Sequence, residues 1–156
     1  MSDAAPRPAP EVALQRYLHA HIPISGHLGA TVAEATSDRV RLVAPLGANV
    51  NHRGTAFGGS ISALAILAGW SLLHLRLQAV GGSWRIVIQR NTVEYLAPAE
   101  SDFEAECAAP DPGEWERFLA MVEVRGRGRV DLAARVLSNG VVAATFAGRY
   151  VAMRLP

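Results

Sequence analysis

Between Gly58 and Val80 the chain is apolar on every side of a helical wheel: Ile61, Leu64, Ile66, Leu67, Trp70, Leu72, Leu73, Leu75 and Leu77 leave no polar face. A helix with that pattern must be buried all round. A membrane span is the competing reading. The uninterrupted run reaches only from Ile61 to Leu73 before His74 and Arg76, short of the ~20 residues a span requires. A helix wrapped by a sheet fits better, and no membrane partner is expected.

The flanking patterns supply the sheet. Val12, Leu14, Tyr17 and Leu18 fall at helical spacing and predict a short helix over Glu11–Ala20, ended by Pro23. Ahead of it, Met1–Pro10 is rich in Ala and Pro and reads as a disordered tail, leaving residues 11–156 as one domain. Strand-like stretches follow at Leu28–Thr36 and Arg39–Ala44, with Ser37-Asp38 as the turn. After Gly81-Gly82 the chain is expected to be all strand: Trp84–Tyr95, Asp102–Ala108, and Arg117–Arg125, where Phe118, Ala120, Val122 and Val124 alternate with Leu119, Met121 and Glu123. Val130–Leu137 and Val141–Val151 are joined by Ser138-Asn139-Gly140, a strong hairpin signal. One antiparallel sheet curled around one apolar helix satisfies this order, an α+β arrangement of the hotdog type. Such a sheet leaves an edge to protect, so a homodimer or a dimer of dimers is expected.

Composition narrows the chemistry. Half of the 156 residues are hydrophobic and the net charge is +1, so no basic field points to nucleic acid. All fifteen basic residues are Arg, which excludes Schiff-base chemistry on lysine. The lone cysteine, Cys107, cannot form an internal disulfide; it reads as a buried strand thiol in a cytoplasmic protein. Nothing calls for a cofactor or metal: His19 and His21 alternate around Ala20 without further ligands. His74, near the end of the long helix, reads as structural.

The informative loop is Asn51-His52-Arg53-Gly54-Thr55-Ala56-Phe57-Gly58-Gly59-Ser60, which runs straight into the apolar helix. Gly58 and Gly59 let a ligand approach the backbone. The first N–H groups of a helix have no internal acceptor and sit at its positive end, where they can stabilise an anionic oxygen. Asn51 adds a neutral amide donor upstream. Ordinary capping, with Ser60 as N-cap, explains the same Gly-Gly-Ser equally well.

The pattern N-x-x-G-T-x-F-G-G-S before a long apolar helix containing Gly69-Trp70 resembles the hotdog thioesterase superfamily. Within it the chain is similar to the branch of thioesterase-like domains sometimes fused behind an N-acetyltransferase domain, as is Tyr95-Leu96-x-Pro98 at a strand end. The resemblance implies a substrate carried on acyl carrier protein or coenzyme A. It further implies malonyl-acyl carrier protein decarboxylation with Asn51 as the essential residue. The residues themselves suggest Gly58 and Gly59 as catalytic partners through their N–H groups, with His52, Thr55, Phe57, Ser60 and Trp70 as expected substrate contacts. In phenylacetate-type thioesterases the position of Phe57 is usually His, so their loop detail does not transfer.

A departure favours decarboxylation over hydrolysis. Hotdog thioesterases commonly use an Asp or Glu on or near the central helix, yet no acidic residue lies between Asp38 and Glu94. Glu94 is the fallback base, although pairing with an Arg is its plainer role, and His52 is a further candidate. The run Arg125-Gly126-Arg127-Gly128-Arg129 is expected to be a basic turn between strands, with Arg127 holding coenzyme A phosphates or the acidic face of a carrier protein, or simply solvated. A thioesterase is the alternative reading; a non-enzymatic acyl-CoA sensor is a third.

Overall fold

A computed structural model describes residues 6–156. The elements in chain order are α1 (Pro10–His21), α2 (Pro23–His27), β1 (Thr31–Ala35), β2 (Arg39–Ala44), α3 (Gly58–Val80), β3 (Trp84–Tyr95), β4 (Phe103–Ala108), α4 (Pro112–Arg125), β5 (Arg127–Ser138) and β6 (Val141–Arg154). All six strands form one sheet in the order β1-β2-β4-β5-β6-β3, every pair antiparallel. With α3 packed against its curved face this is the hotdog architecture. Part of the expected N-terminal tail, residues 1–5, lies outside the described residues. Its last member, Pro10, opens α1 as a first-turn proline.

The pattern around α3 delivers what an all-round apolar helix requires. Leu64, Leu67, Ala68, Leu72 and Leu77 are buried against the sheet. By length and composition α3 is the one helix among the described residues able to cross a membrane, but its apolar surface is already used in this core. At mid-helix, β6 sends the fully buried Tyr150 beneath it, where the hydroxyl donates to the Ile66 carbonyl at 2.7 Å. A Cβ on Gly69 would land on that hydroxyl, so glycine is what lets the ring sit there. Burial pushes the Tyr150 hydroxyl pKa far above the usual tyrosine range.

Four sequence expectations need correction. The stretch Arg117–Arg125 is not a strand but the body of α4. Asp111 caps that helix by accepting from the Gly113 N–H at 3.0 Å, Pro112 opens it, and Gly126 closes it at φ +69°. Phe118 and Val122, which fit an alternating pattern, are also four residues apart on one helical face, and they are the two buried residues of α4. The basic run is therefore not a turn between strands: Arg125 ends a helix and Arg127 begins a strand. Pro23 does not simply end a helix but opens the short α2, so β1 starts only at Thr31.

Two edges remain. β1 is five residues long, whereas β3 runs for twelve with no neighbour on its outer side. A long unpaired edge is a template for another chain.

Candidate active site

The loop before α3 is built by two asparagines. Asn49 is buried and ties the loop to the body: its amide donates to the carbonyls of Leu28 and Pro45 at 2.8 and 2.7 Å, and its own carbonyl accepts from the Phe57 N–H. Sequence reasoning missed Asn49. Its position four residues after Pro45 in a polar loop was the available signal. Asn51 shapes the tip. Its Oδ1 accepts from the N–H groups of Arg53 and Thr55 at 2.8 and 3.2 Å, and its Nδ2 donates to Thr55 Oγ1 at 2.9 Å. Gly54 sits at φ +78°, which favours glycine. One Nδ2 hydrogen of Asn51 is left without an acceptor among the described residues. His52 is exposed at the tip.

The helix start follows. Phe57 is the N-cap residue and offers no side-chain cap. Ser60, expected there, lies instead in the first turn and is buried; its N–H and that of Ile61 both donate to the Phe57 carbonyl. The N–H groups of Gly58 and Gly59 are left without an intramolecular acceptor among the described residues. Phe57 lies over Gly59, where a Cβ would strike the ring, and Tyr95 lies over Gly58, donating its hydroxyl to the Gly58 carbonyl at 3.0 Å. Beside them opens a cavity of about 320 Å³ lined by Ala56, Gly58, Ile61, Tyr95, Leu96 and Pro98, among others. The strand-end motif Tyr95-Leu96-x-Pro98 therefore meets the loop. Tyr95 and Leu96, which line it, are 54 and 58% exposed, and Phe57, next to the lining residues Ala56 and Gly58 in the chain, is 57% exposed.

Thr55 is bonded to Asn51, Phe57 lies over Gly59, and His52 and Ser60 belong to the same stretch from the loop into the first turn of α3. Trp70, Glu94 and Arg127 lie elsewhere. Trp70 is three helical turns along α3, roughly 18 Å from Gly58 by helical rise. It stacks on His74 at 4.9 Å and donates its Nε1–H to the Ile86 carbonyl. Glu94 adjoins Tyr95, but strand alternation turns it to the opposite face of the sheet; it is exposed and forms no ion pair among the described residues. Arg127 is at the far end of β5. Cys107 is fully buried, and burial pushes its thiol up to about 12, which leaves no thiolate for nucleophilic attack at neutral pH.

An antiparallel sheet wrapped around a buried helix is the hotdog fold of the thioesterase superfamily. Residues 11–154 match the family model described as "Putative thioesterase (yiiD_Cterm)", and the chain belongs to that family. A protein from Chlorobaculum tepidum TLS shares the structure at a TM-score of 0.88 and 28% identity, over 93% of this chain and 94% of that one. A thioesterase-named protein from Shewanella oneidensis superposes with a TM-score of 0.80 and 28% identity, covering 94% and 97%. A third, from Pseudomonas aeruginosa, has the same fold at 0.79 and 22% identity, covering 95% and 98%.

Proposed function

We propose that the chain is an enzyme acting on acyl groups carried as thioesters by acyl carrier protein or coenzyme A, and that its favoured reaction is decarboxylation of a malonyl thioester. The observation that carries this reading is the helix start itself. Two unsatisfied N–H groups, of Gly58 and Gly59, stand beside an apolar cleft that no carboxylate lines. Hydrolysis needs a base to activate water. Decarboxylation does not: the bond between the malonyl carboxylate carbon and the α-carbon breaks, carbon dioxide leaves, and the electron pair flows onto the thioester oxygen. The enolate then takes a proton from water at the α-carbon to give the acetyl thioester. Donors aimed at the enolate oxygen are the main requirement. Asn51 Nδ2 and the glycine N–H groups supply them in this reading, with Phe57 and Tyr95 shielding the oxygen from solvent.

The working unit in this proposal is a homodimer, or a dimer of dimers, in the cytoplasm. The free edge of β3 and the exposed apolar rim of Phe57, Tyr95 and Leu96 support it. Light scattering is expected to give at least twice the 16.6 kDa chain mass; a stable monomer overturns it.

The family description favours hydrolysis as the second reading. Mass spectrometry of malonyl-carrier-protein and malonyl-CoA incubations separates the two. Decarboxylation yields the acetyl thioester and carbon dioxide, and Asn51→Ala is expected to lower the rate by ~10²–10³ while the protein still folds cooperatively, with only a modestly lowered melting transition from the lost loop bonds. Release of free thiol without carbon dioxide establishes the thioesterase instead, with His52 the base to test before Glu94.

A further inference from the structure

Where α4 meets the first half of β5 the surface folds into a larger groove of about 520 Å³. Arg117 and Arg125 of α4 and Arg127 and Arg129 of β5 line it. None of these four forms an ion pair among the described residues; the ion pairs belong to Arg39, Arg41, Arg135 and Arg149. Of the groove's two acidic residues, Asp131 is already held by Arg149 at 2.7 Å, leaving Glu114 alone against four guanidinium groups. Met121, 43% exposed, adds apolar surface, over a floor of the buried Phe118 and Val130.

The placement is built into the fold. β4 pairs with β5 only from Ala134 onward, so one side of Arg127–Ala133 is free of strand pairing. Helix α4 is docked against that segment through Gly128, where a Cβ would lie 2.9 Å from both Phe118 and Val122. The helix and the strand thereby hold their arginines around one concavity.

We propose that this groove binds a nucleoside polyphosphate. Guanidinium forks take phosphate oxygens two at a time, and the exposed Met121 offers a polarisable apolar contact to a base. The volume is that of a small-molecule site; an acidic protein surface would satisfy the arginines and leave the concavity unfilled. The chemistry has two sources, the 3′-phosphoadenosine diphosphate head of coenzyme A and a free nucleotide. Within one subunit the groove is remote from the loop. Tyr95 pairs through Ala144 with Val136, nine residues along β5 from Arg127, roughly 30 Å at strand rise. A pantetheine arm has about the reach of five extended residues, roughly 17 Å. A coenzyme A head held here would therefore not reach the loop of its own subunit along this path.

Calorimetry on the intact protein tests this, with ADP, adenosine 3′,5′-bisphosphate and coenzyme A as probes. Binding is expected, weaker at high salt. The triple variant Arg125→Gln, Arg127→Gln, Arg129→Gln is expected to raise Kd by at least about tenfold, the loss of one charge-assisted hydrogen bond or more. Arg16→Gln, which removes an exposed charge on α1, leaves it unchanged. A KM that rises in the triple variant for an acyl-CoA but not for the matching acyl-pantetheine identifies the substrate head as the ligand; unchanged KM for both, with nucleotide binding still lost, identifies a free nucleotide. Wild type that binds none of the probes, or a triple variant that binds them as well as wild type, overturns the site. The binding readout requires no turnover, so it stands or falls separately from the reaction at Asn51.

Discussion

The two ends of α3 are opposites. Its second half is buried or half-buried as far as Leu77, with only residues 78–80 exposed. Trp70, His74, Tyr17 and His21 form a continuous aromatic stack with centroid spacings of 4.9, 4.6 and 4.1 Å that fastens α1 to it. Arg76 lies 4.3 Å over the Trp115 ring of α4 and donates to the Ser37 carbonyl at the β1–β2 turn. The first turn has two glycines, no side-chain cap, two N–H groups without acceptors and a solvent-facing rim. Leaving polar groups unpaired costs stability, and a helix so fixed along its length can carry that cost at one end. In the proposed function, the packed end anchors the helix whose open end carries the site.

The largest effect should come from filling the closed region. Gly69→Leu drives a side chain into the Tyr150 hydroxyl and is expected to cost about 3 kcal/mol or more, read as a lower denaturant midpoint. A variant as stable as wild type would show that Tyr150 does not sit beneath Gly69. Tyr150→Phe removes only the bond to the Ile66 carbonyl and should cost about 0.5–1.5 kcal/mol.

Gly59→Ala is the converse test at the open end. Phe57 is exposed and can swing away from the added methyl, so stability should move by less than about 0.5 kcal/mol. The displaced ring should nonetheless lower kcat/KM on the preferred thioester by about 10–100-fold. Equal small losses in both properties would erase the contrast between the two ends.

The smallest effect is a pH dependence. Burial, and secondarily the charge of His21, hold His74 below its ordinary 6.5. The unfolded chain therefore takes up the proton first, so this contribution is constant above about pH 6.5 and stability falls as pH drops through and below it. His74→Phe keeps a ring in the stack and removes the titration. Wild type should then lose more stability than the variant between about pH 7.5 and 5.5, and parallel losses would remove His74 from the account.

The contrast also marks where the sequence was readable. α3 declares itself because no other structure hides apolar residues on every side, and β3 appears within its predicted bounds because Ile86-Val87-Ile88 opens it and Pro98 follows it. The β5–β6 hairpin follows from Asn139 and Gly140, both at positive φ in the structure. α4 misleads because it buries only Phe118 and Val122, a spacing that periods of two and of 3.6 both satisfy, while Val124, on the same face as these two in the strand reading, is 82% exposed. Its caps, Asp111-Pro112 and Gly126, were the better evidence. At the site, the loop and its glycines are local in sequence and so were legible. Asn49, Tyr150 under Gly69 and the Arg groove depend on contacts between distant segments, which no local pattern encodes.

The seat of Tyr150 also orders events during synthesis. Helix α3 is complete at Val80, but the ring that fills the notch at Gly69 belongs to β6, about seventy residues later, and β3 has no ladder partner until that same strand arrives. At translation speeds of about 5–20 residues per second the nascent chain carries an unshielded apolar helix for several seconds. A chain whose last strand closes both the core and the sheet cannot fold piecemeal. It is expected to fold slowly, in one late cooperative step governed by its longest-range contacts.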